Sequence, residues 1–186
     1  MRLILASTSP RRKELLTLLG LRFDIVAPPF VEQVVPNRSA EQQAVAFAVG
    51  KAKSCIELCP DALILGSDTL ISLGSDVLGK PADSADAESM LRRMAGQTHK
   101  IFTAVALVGS GPDLCEVQVA RVSVTMKALN EEALSAYLRT GDSLGKAGAY
   151  SIQGGGAELI ERIEGDYTAA VGLPIRIVAD MLRRRG

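Results

Sequence analysis

The sequence contains no tryptophan, a single histidine and few aromatic residues, which make up 4% of its 186 positions. Proteins that bind single-stranded nucleic acid usually stack the bases on aromatic rings, so this composition argues against such a surface. One histidine, His99, is too few for a zinc site with several histidine ligands. A bound metal would therefore be a hard cation held by oxygen ligands.

The sequence also lacks net charge, because 21 Lys and Arg residues balance 21 Asp and Glu residues. Non-specific binding to duplex DNA depends on an excess of positive charge, so we expect no nucleic-acid partner. Any binding of phosphate groups would have to come from a local cluster of cations.

Cysteines and long apolar runs are scarce as well. The three cysteines form no pattern typical of a disulfide framework, which indicates a reducing compartment. No stretch approaches the roughly 20 apolar residues that a membrane helix needs. The apolar run at the start is too short for the core of a signal peptide. These features predict a cytoplasmic protein with no membrane partner.

Strand and helix patterns alternate near both ends of the chain, with a β-rich region between them. Residues 3–6 and 23–26 read as buried strands, and helices begin at Pro10 and, after a capping serine, over residues 40–58. Residues 100–108 and 116–126 read as two strands of a hairpin joined at 109–113. This order predicts an α/β protein with a mixed sheet flanked by helices, in one domain spanning residues 1–186.

A basic segment, residues 7–13, follows the first strand and opens the first helix. Its three cations occupy the first helical turn, where the helix dipole disfavours positive charge. A bound phosphate would reverse that penalty, and the free backbone N–H groups and hydroxyls, including that of Ser7, would add donors. The alternative is a solvated basic turn.

Asp68 lies within an apolar run, in the motif Gly-Ser-Asp-Thr at residues 66–69. A buried carboxylate needs a partner, so Asp68 is either part of a structural ion pair with Arg11 or Lys51, or a metal ligand or general base. His99 has no partner motif and is predicted to be structural.

Two glycine-containing loops are further candidates. Residues 74–80 match the start of a phosphate-binding P-loop, but Pro81 stands where the Ser or Thr should be, so we reject that motif and keep Lys80 as a possible phosphate ligand. Residues 145–156 are small and glycine-rich, and the amide of Gln153 suits a pyrimidine edge. A surface loop without a ligand is the alternative for that segment.

Taken together, the motifs resemble the Maf family of nucleoside triphosphate pyrophosphatases, also called septum-formation inhibitor proteins. The resemblance runs over residues 3–182, and residues 146–154 are similar to the branch that acts on dTTP and UTP. The matching motifs are Ser7-x-Ser9-Pro10-Arg11-Arg12-x-Glu14-Leu15-Leu16, Lys51-Ala52, Gly66-Ser67-Asp68-Thr69, Gly79-Lys80-Pro81 and Gly165-x-Tyr167…Val171-Gly172-Leu173-Pro174.

The resemblance implies a fold, an assembly and a role for each matching residue. The fold is an elongated mixed sheet flanked by helices, similar to inosine triphosphate pyrophosphatases (the Maf/Ham1 fold), and members are usually homodimers that need a divalent metal, Mg²⁺ or Mn²⁺. Asp68 is implied as the proton acceptor, and Glu32, in the segment Phe-Val-Glu-Gln, as a metal ligand beside it. The implied substrate-binding residues are Ser7, Arg11, Arg12, Lys51, Thr69, Lys80 and Gln153, of which Arg12, Lys51 and Lys80 hold phosphates and Arg11, Thr69 and Gln153 set specificity.

The predicted activity is hydrolysis of dTTP and UTP to the monophosphate and pyrophosphate, with modified pyrimidine triphosphates as further candidate substrates. A nucleotide-binding regulator of cell division with little turnover is the alternative.

Overall fold

The computed structural model describes residues 2–109 and 114–185. The strands are β1 (Arg2–Ala6), β2 (Asp24–Val26), β3 (Ala62–Leu73), β4 (Asp76–Leu78), β5 (Thr98–Val108), β6 (Cys115–Met126) and β7 (Ile160–Glu164). The helices are α1 (Pro10–Thr17), α2 (Ala40–Lys53), α3 (Ser84–Met94), α4 (Glu131–Arg139), α5 (Tyr167–Val171) and α6 (Ile175–Arg183). Two short 3₁₀ helices, Ala147–Ala149 and Gly154–Leu159, precede β7.

The seven strands form one mixed sheet in the order β2-β1-β3-β5-β6-β7, with β4 paired to β3. β1 runs parallel to both β2 and β3, whereas β4 and β7 run antiparallel to β3 and β6. Strands and helices alternate at both ends of the chain, which confirms the predicted α/β class with a mixed sheet flanked by helices.

Side-chain caps explain where several helices begin. Ser9 accepts a hydrogen bond from the Arg12 N–H at the start of α1, with Pro10 in the first helical position. Ser39 and Gln42 form a reciprocal capping box at the start of α2. The Asn130 side chain caps α4 by accepting a hydrogen bond from the Ala133 N–H. These local signals can be read from sequence, and the helices begin where they predict.

The prediction for the end of α2 was wrong by one and a half turns. The helix ends at Lys53 rather than at residue 58, and residues 54–59 form turns. The Ser54 hydroxyl donates to the Lys51 carbonyl, and the Cys55 N–H bonds to the carbonyl three residues before it. These shorter bonds tighten the chain and stop the α-helix before Pro60. The predicted hairpin turn between β5 and β6 lies largely outside the described residues.

Within the described ranges the chain divides into two compact units. Unit 1 comprises residues up to 69, 102–120 and from 168 onward, and unit 2 comprises residues 70–101 and 121–167. The core of unit 1 is built from alternate residues of β1, β3 and β5 together with α1 and α6. None of the helices described here is long and apolar enough to cross a membrane.

Candidate active site

A glycine brings the central strand and helix α2 of unit 1 together. A Cβ on Gly66 would lie 2.3 Å from the Ala48 carbonyl oxygen and 2.9 Å from the Ala52 Cβ, so no larger residue fits there. The backbone of β3 therefore lies directly against α2. Two residues further along β3 is Asp68, and Lys51 occupies the facing part of the helix.

Lys51 joins two carboxylates at this point. Its Nζ lies 2.5 Å from Asp68 Oδ1 and 2.6 Å from Glu32 Oε1. Asp68 and Lys51 are buried, whereas the Glu32 side chain is 48% exposed. The structure thus confirms an ion pair for Asp68 and selects Lys51 from the two partners that the sequence left open.

The ion pair leaves half of the Asp68 carboxylate unused. Among the residues that the structure describes, Asp68 Oδ2 is buried and has no hydrogen-bond partner. Burial raises the pKa of Asp68 above its ordinary value, although Lys51 and Arg12 lower it. A buried oxygen with a free lone pair and a raised pKa has the properties of a general base or of a metal ligand.

Arg12 reaches from the first turn of α1 to the same strand. Its Nε donates to the Gly172 carbonyl at 3.0 Å, and its Nη2 lies 3.4 Å from Thr69 Oγ1. Burial lowers the pKa of Arg12, while the charges of Asp68 and Glu32 raise it. Arg12 is therefore not part of a solvated basic turn, although Lys13 beside it is exposed.

Thr69 is held by a chain of hydroxyls. The Thr103 hydroxyl donates to the Ala169 carbonyl at 2.7 Å, so its single proton is already used. In the 3.0 Å contact between the two threonines, the Thr69 hydroxyl must then be the donor. This leaves the Thr69 oxygen as the acceptor for Arg12. The direction of every hydrogen bond in the chain is fixed.

The start of α1 is organised as the sequence predicted. Ser9 N–H donates to Ser7 Oγ at 3.2 Å, and Ser7 is buried. Arg11 is half-buried in the same turn, and this turn contains no acidic residue. Ser7, Arg11 and Arg12 therefore share one helix start, which is the arrangement that favours an anion.

The structure brings together five of the predicted site residues in unit 1 and assigns two others to unit 2. Arg12, Glu32, Lys51, Asp68 and Thr69 are linked by hydrogen bonds and charges in unit 1. Lys80 and Gln153 lie in unit 2, where both are exposed. Their loops are joined by a hydrogen bond from the Gly148 N–H to the Gly79 carbonyl at 3.0 Å.

Three groups that support this site were not identified from the sequence as parts of it: the Ser67 hydroxyl, the Gly172 carbonyl and the Thr103 hydroxyl. Ser67 and Arg12 both donate to the Gly172 carbonyl, just after α5. Helix α5 itself was not predicted, because its five residues are too few for a periodic pattern. A hydroxyl within the apolar run of β5 was an available signal, because a buried polar side chain needs a partner.

The donor chemistry of this site suits a hard divalent cation. Asp68 and Glu32 offer carboxylate oxygens, and one of them is the unpartnered Oδ2. Throughout residues 2–109 and 114–185 no group of three or more His, Cys, Asp or Glu side chains could hold a metal. Mg²⁺ fits such a sparse set, because it commonly binds one or two carboxylates together with waters and substrate phosphates.

Comparison with known proteins gives matches over the whole chain. The family model described as Maf-like protein matches residues 2–185. The dTTP/UTP pyrophosphatase of Geobacter sulfurreducens is 41% identical over 187 residues, which cover 100% of this chain and 97% of that protein. The protein of the same name from Pelotomaculum thermopropionicum is 40% identical over 185 residues, covering 99% and 96%.

A further relative and one solved structure complete the comparison. The dTTP/UTP pyrophosphatase of Deinococcus radiodurans is 40% identical over 187 residues, covering 100% of this chain and 93% of that protein. The crystal structure of protein VC0702 from Vibrio cholerae aligns at 13% identity with a TM-score of 0.34, over 75% of this chain and 70% of that one, which is too low to support an argument. The match of the family model over nearly every residue shows that the chain belongs to the Maf family.

Proposed function

We propose that the protein hydrolyses dTTP and UTP to the nucleoside monophosphate and pyrophosphate. The observation that carries this proposal is the buried Asp68 carboxylate, with Oδ1 bound to the Lys51 ammonium and Oδ2 without a partner among the described residues. The names of the relatives support the substrate, and modified pyrimidine triphosphates are included in the proposal as further substrates.

In the proposed reaction Asp68 acts as the general base. Water attacks the α-phosphorus, so that a new P–O bond forms while the bond between the α-phosphorus and the bridging oxygen breaks. Asp68 accepts the proton of the water, and pyrophosphate leaves with the electrons of the broken bond. A pKa raised by burial makes Asp68 a stronger base than an exposed carboxylate.

The cations of the site would bind the triphosphate and offset the charge that develops on the leaving pyrophosphate. In unit 1 these are Lys51, which is buried, and Arg12, which is half-buried, and Ser7 adds a hydroxyl at the helix start. Lys80 is proposed as a further phosphate ligand. Arg11, Thr69 and Gln153 are proposed to set specificity, since the amide of Gln153 can both donate to and accept from a pyrimidine edge.

Asp68 and Glu32 are the residues that would hold a divalent cation, Mg²⁺ or Mn²⁺. Such an ion would polarise the phosphate oxygens and neutralise part of their charge. Lys51 now fills the space between the two carboxylates with its own positive charge. On Asp68 it contacts Oδ1, so Oδ2 is the oxygen left for a cation.

The alternative, a nucleotide-binding regulator with little turnover, is not favoured. The relatives that match over nearly their whole length are named as pyrophosphatases, and the site contains a buried base as well as cations. A homodimer in the cytoplasm, without nucleic-acid or membrane partners, is proposed on the family resemblance and on the neutral charge balance.

Pyrophosphate release from a panel of ribo- and deoxyribonucleoside triphosphates, with Mg²⁺, with Mn²⁺ and with a chelator, tests the activity. We expect release from dTTP and UTP above all others, and loss of release with the chelator. No release from either nucleotide under any of these conditions would refute the proposed function.

Asp68→Asn tests the proposed base. We expect kcat to fall by about 10²–10⁴-fold, the usual contribution of general base catalysis, while nucleotide binding measured by calorimetry persists. Asp61→Asn is the matched control, because Asp61 is exposed just before the same strand. Equal turnover of the two variants would rule out a catalytic role for Asp68.

A further inference from the structure

A neutral hydrogen-bonded pair lies buried in unit 2. His99 Nε2 is 2.7 Å from the Tyr150 hydroxyl, and the two rings meet edge to face with centroids 5.4 Å apart. Burial lowers the pKa of His99 to about 4 and raises that of Tyr150. Both side chains are therefore neutral at neutral pH, and the bond between them does not depend on a charge that titrates there.

Tyr150 follows a backbone turn that is unfavourable for its sequence. Gly148 and Ala149 have φ angles of +68° and +59°, and Ala149 is fully buried. A left-handed conformation is ordinary for glycine, but a residue with a Cβ adopts it only when its surroundings hold it there. The hydrogen bond between Tyr150 and His99 lies at the exit of this turn and provides such a restraint.

The restrained segment leads directly to Gln153. Tyr150, Ser151 and Ile152 are buried, and the chain reaches the surface at Gln153. The chain then folds back so closely that a Cβ on Gly156 would lie 2.0 Å from the Ser151 carbonyl oxygen. The direction of the chain at Gln153, where it reaches the surface, is therefore set by the buried residues just before it.

The same segment is tied to the loop of Lys80. The Gly148 N–H donates to the Gly79 carbonyl, one residue before Lys80. A Cβ on Gly148 would lie 3.2 Å from Ile71 Cδ1, so the turn is also packed closely against β3. A restraint on the turn at 148–150 thus acts on both loops.

At a purely structural position, an apolar residue would be more stabilising than His99. Its Nδ1 is buried and has no hydrogen-bond partner in the part of the chain that the structure describes. A buried polar atom without a partner lowers stability, and an apolar residue on β5 would avoid this loss. The observation favours a role for His99 in holding the Tyr150 hydroxyl.

We propose that His99 and Tyr150 are positioning residues that anchor residues 148–153, so that Gln153 and Lys80 keep a fixed relation to each other for recognition of the nucleotide. This proposal rests on the proposed pyrophosphatase function and adds two residues to its specificity. Neither residue is assigned contact with the substrate. Their effect passes through the backbone, from the turn to Gln153 on one side and to Gly79 on the other.

Tyr150→Phe removes only the hydroxyl and is the main test. Two measurements apply: amide hydrogen exchange of residues 148–156 without nucleotide, and kcat and KM for UTP and CTP. We expect exchange in this segment to become about tenfold faster while core strands are unchanged, and KM for UTP to rise about tenfold with kcat nearly constant. The ratio of kcat/KM for UTP to kcat/KM for CTP should fall as well.

Two further variants separate positioning from general destabilisation. His99→Gln can place a side-chain amide, which both donates and accepts, near the position of Nε2, so this variant should lie closer to wild type than His99→Leu in both measurements. Thr98→Val is the matched control. Thr98 precedes His99 on β5, and the change removes its exposed hydrogen bond to Thr125 on β6, so it should alter neither measurement. All assays are run well below the unfolding temperature of each variant.

The outcomes distinguish this proposal from the proposed function. Exchange in Tyr150→Phe that matches Thr98→Val, or an equal loss of kcat/KM for both nucleotides through kcat alone, overturns the anchor. If the wild-type protein hydrolyses no nucleotide, the proposed function fails. The exchange measurement then still decides, because faster exchange confined to residues 148–156 supports the anchor and unchanged exchange refutes it.

Discussion

The two units differ in the buried polar clusters that they contain. Unit 1 has a cluster with buried charges: Lys51 joins Asp68 and Glu32, and Arg12 lies near enough to affect the pKa of Asp68. In unit 2 the buried pair, His99 and Tyr150, is neutral. Charge is thus concentrated where we propose that phosphate chemistry takes place, and a neutral hydrogen bond serves where only a loop must be held.

The charged cluster of unit 1 is balanced within itself. Each of its two cations, Arg12 and Lys51, lies near a carboxylate, so the cluster carries no excess of either charge. The balance also makes the cluster sensitive, because loss of one member leaves a buried charge without a partner. The neutral pair has no such charge, so its loss should affect stability less.

Lys51→Met should show the largest effect on stability. It leaves the buried Asp68 carboxylate without its closest cation, and breaking a buried pair in this way lowers the free energy of unfolding by about 3–5 kcal/mol. Urea unfolding in the presence of a chelator measures this. Lys53→Met, two residues further along the helix and exposed, should stay within about 0.5 kcal/mol of wild type.

The double variant Lys51→Met with Asp68→Asn makes this test sharper. Removal of both charges should restore much of the lost stability without restoring activity, because no uncompensated charge remains. If Lys51→Met is as stable as Lys53→Met, the ion pair does not carry the energy that its burial implies.

Tyr150→Phe should have a smaller effect on stability. It leaves His99 Nε2 buried without its partner, which lowers the free energy of unfolding by about 1–3 kcal/mol. The double variant Tyr150→Phe with His99→Leu should lie closer to wild type than the sum of the two single changes, because it leaves no polar atom behind. A loss as large as that of Lys51→Met would contradict the distinction between the charged and the neutral cluster.

The sequence was sufficient to find the charged cluster, but not to complete it. A carboxylate in an apolar run needs a partner, and Lys51 was one of two partners considered for Asp68. The choice between Lys51 and Arg11 depends on how α2 packs on β3. That packing is set by the close approach at Gly66, and a glycine in a strand does not indicate which element packs against it.

The neutral pair could not be predicted at all. His99 and Tyr150 lie 51 positions apart, and no pattern of spacing links them. The left-handed conformation of Ala149 runs against its residue type, so it has no local signal either. Helix starts were predictable because capping is local, whereas the anchor of the Gln153 loop exists only through tertiary contacts.

The pH dependence of activity should show the smallest effect and the cleanest separation of the two clusters. The acid limb of kcat/KM reports the base of the free enzyme. Burial raises the pKa of Asp68, so the limb should lie above the ordinary value of 3.8 for an aspartic acid. Lys51 lowers that pKa, so in Lys51→Gln the limb should move to still higher pH.

His99→Gln provides the control for this shift. Burial keeps His99 neutral, with a pKa lowered to about 4, so replacing it should leave the acid limb where wild type has it. Activity is measured over the range in which circular dichroism shows each variant folded, so that unfolding at low pH does not imitate titration. A limb that moves in His99→Gln and stays in place in Lys51→Gln would assign the proton to the neutral pair and remove Asp68 from the role of base.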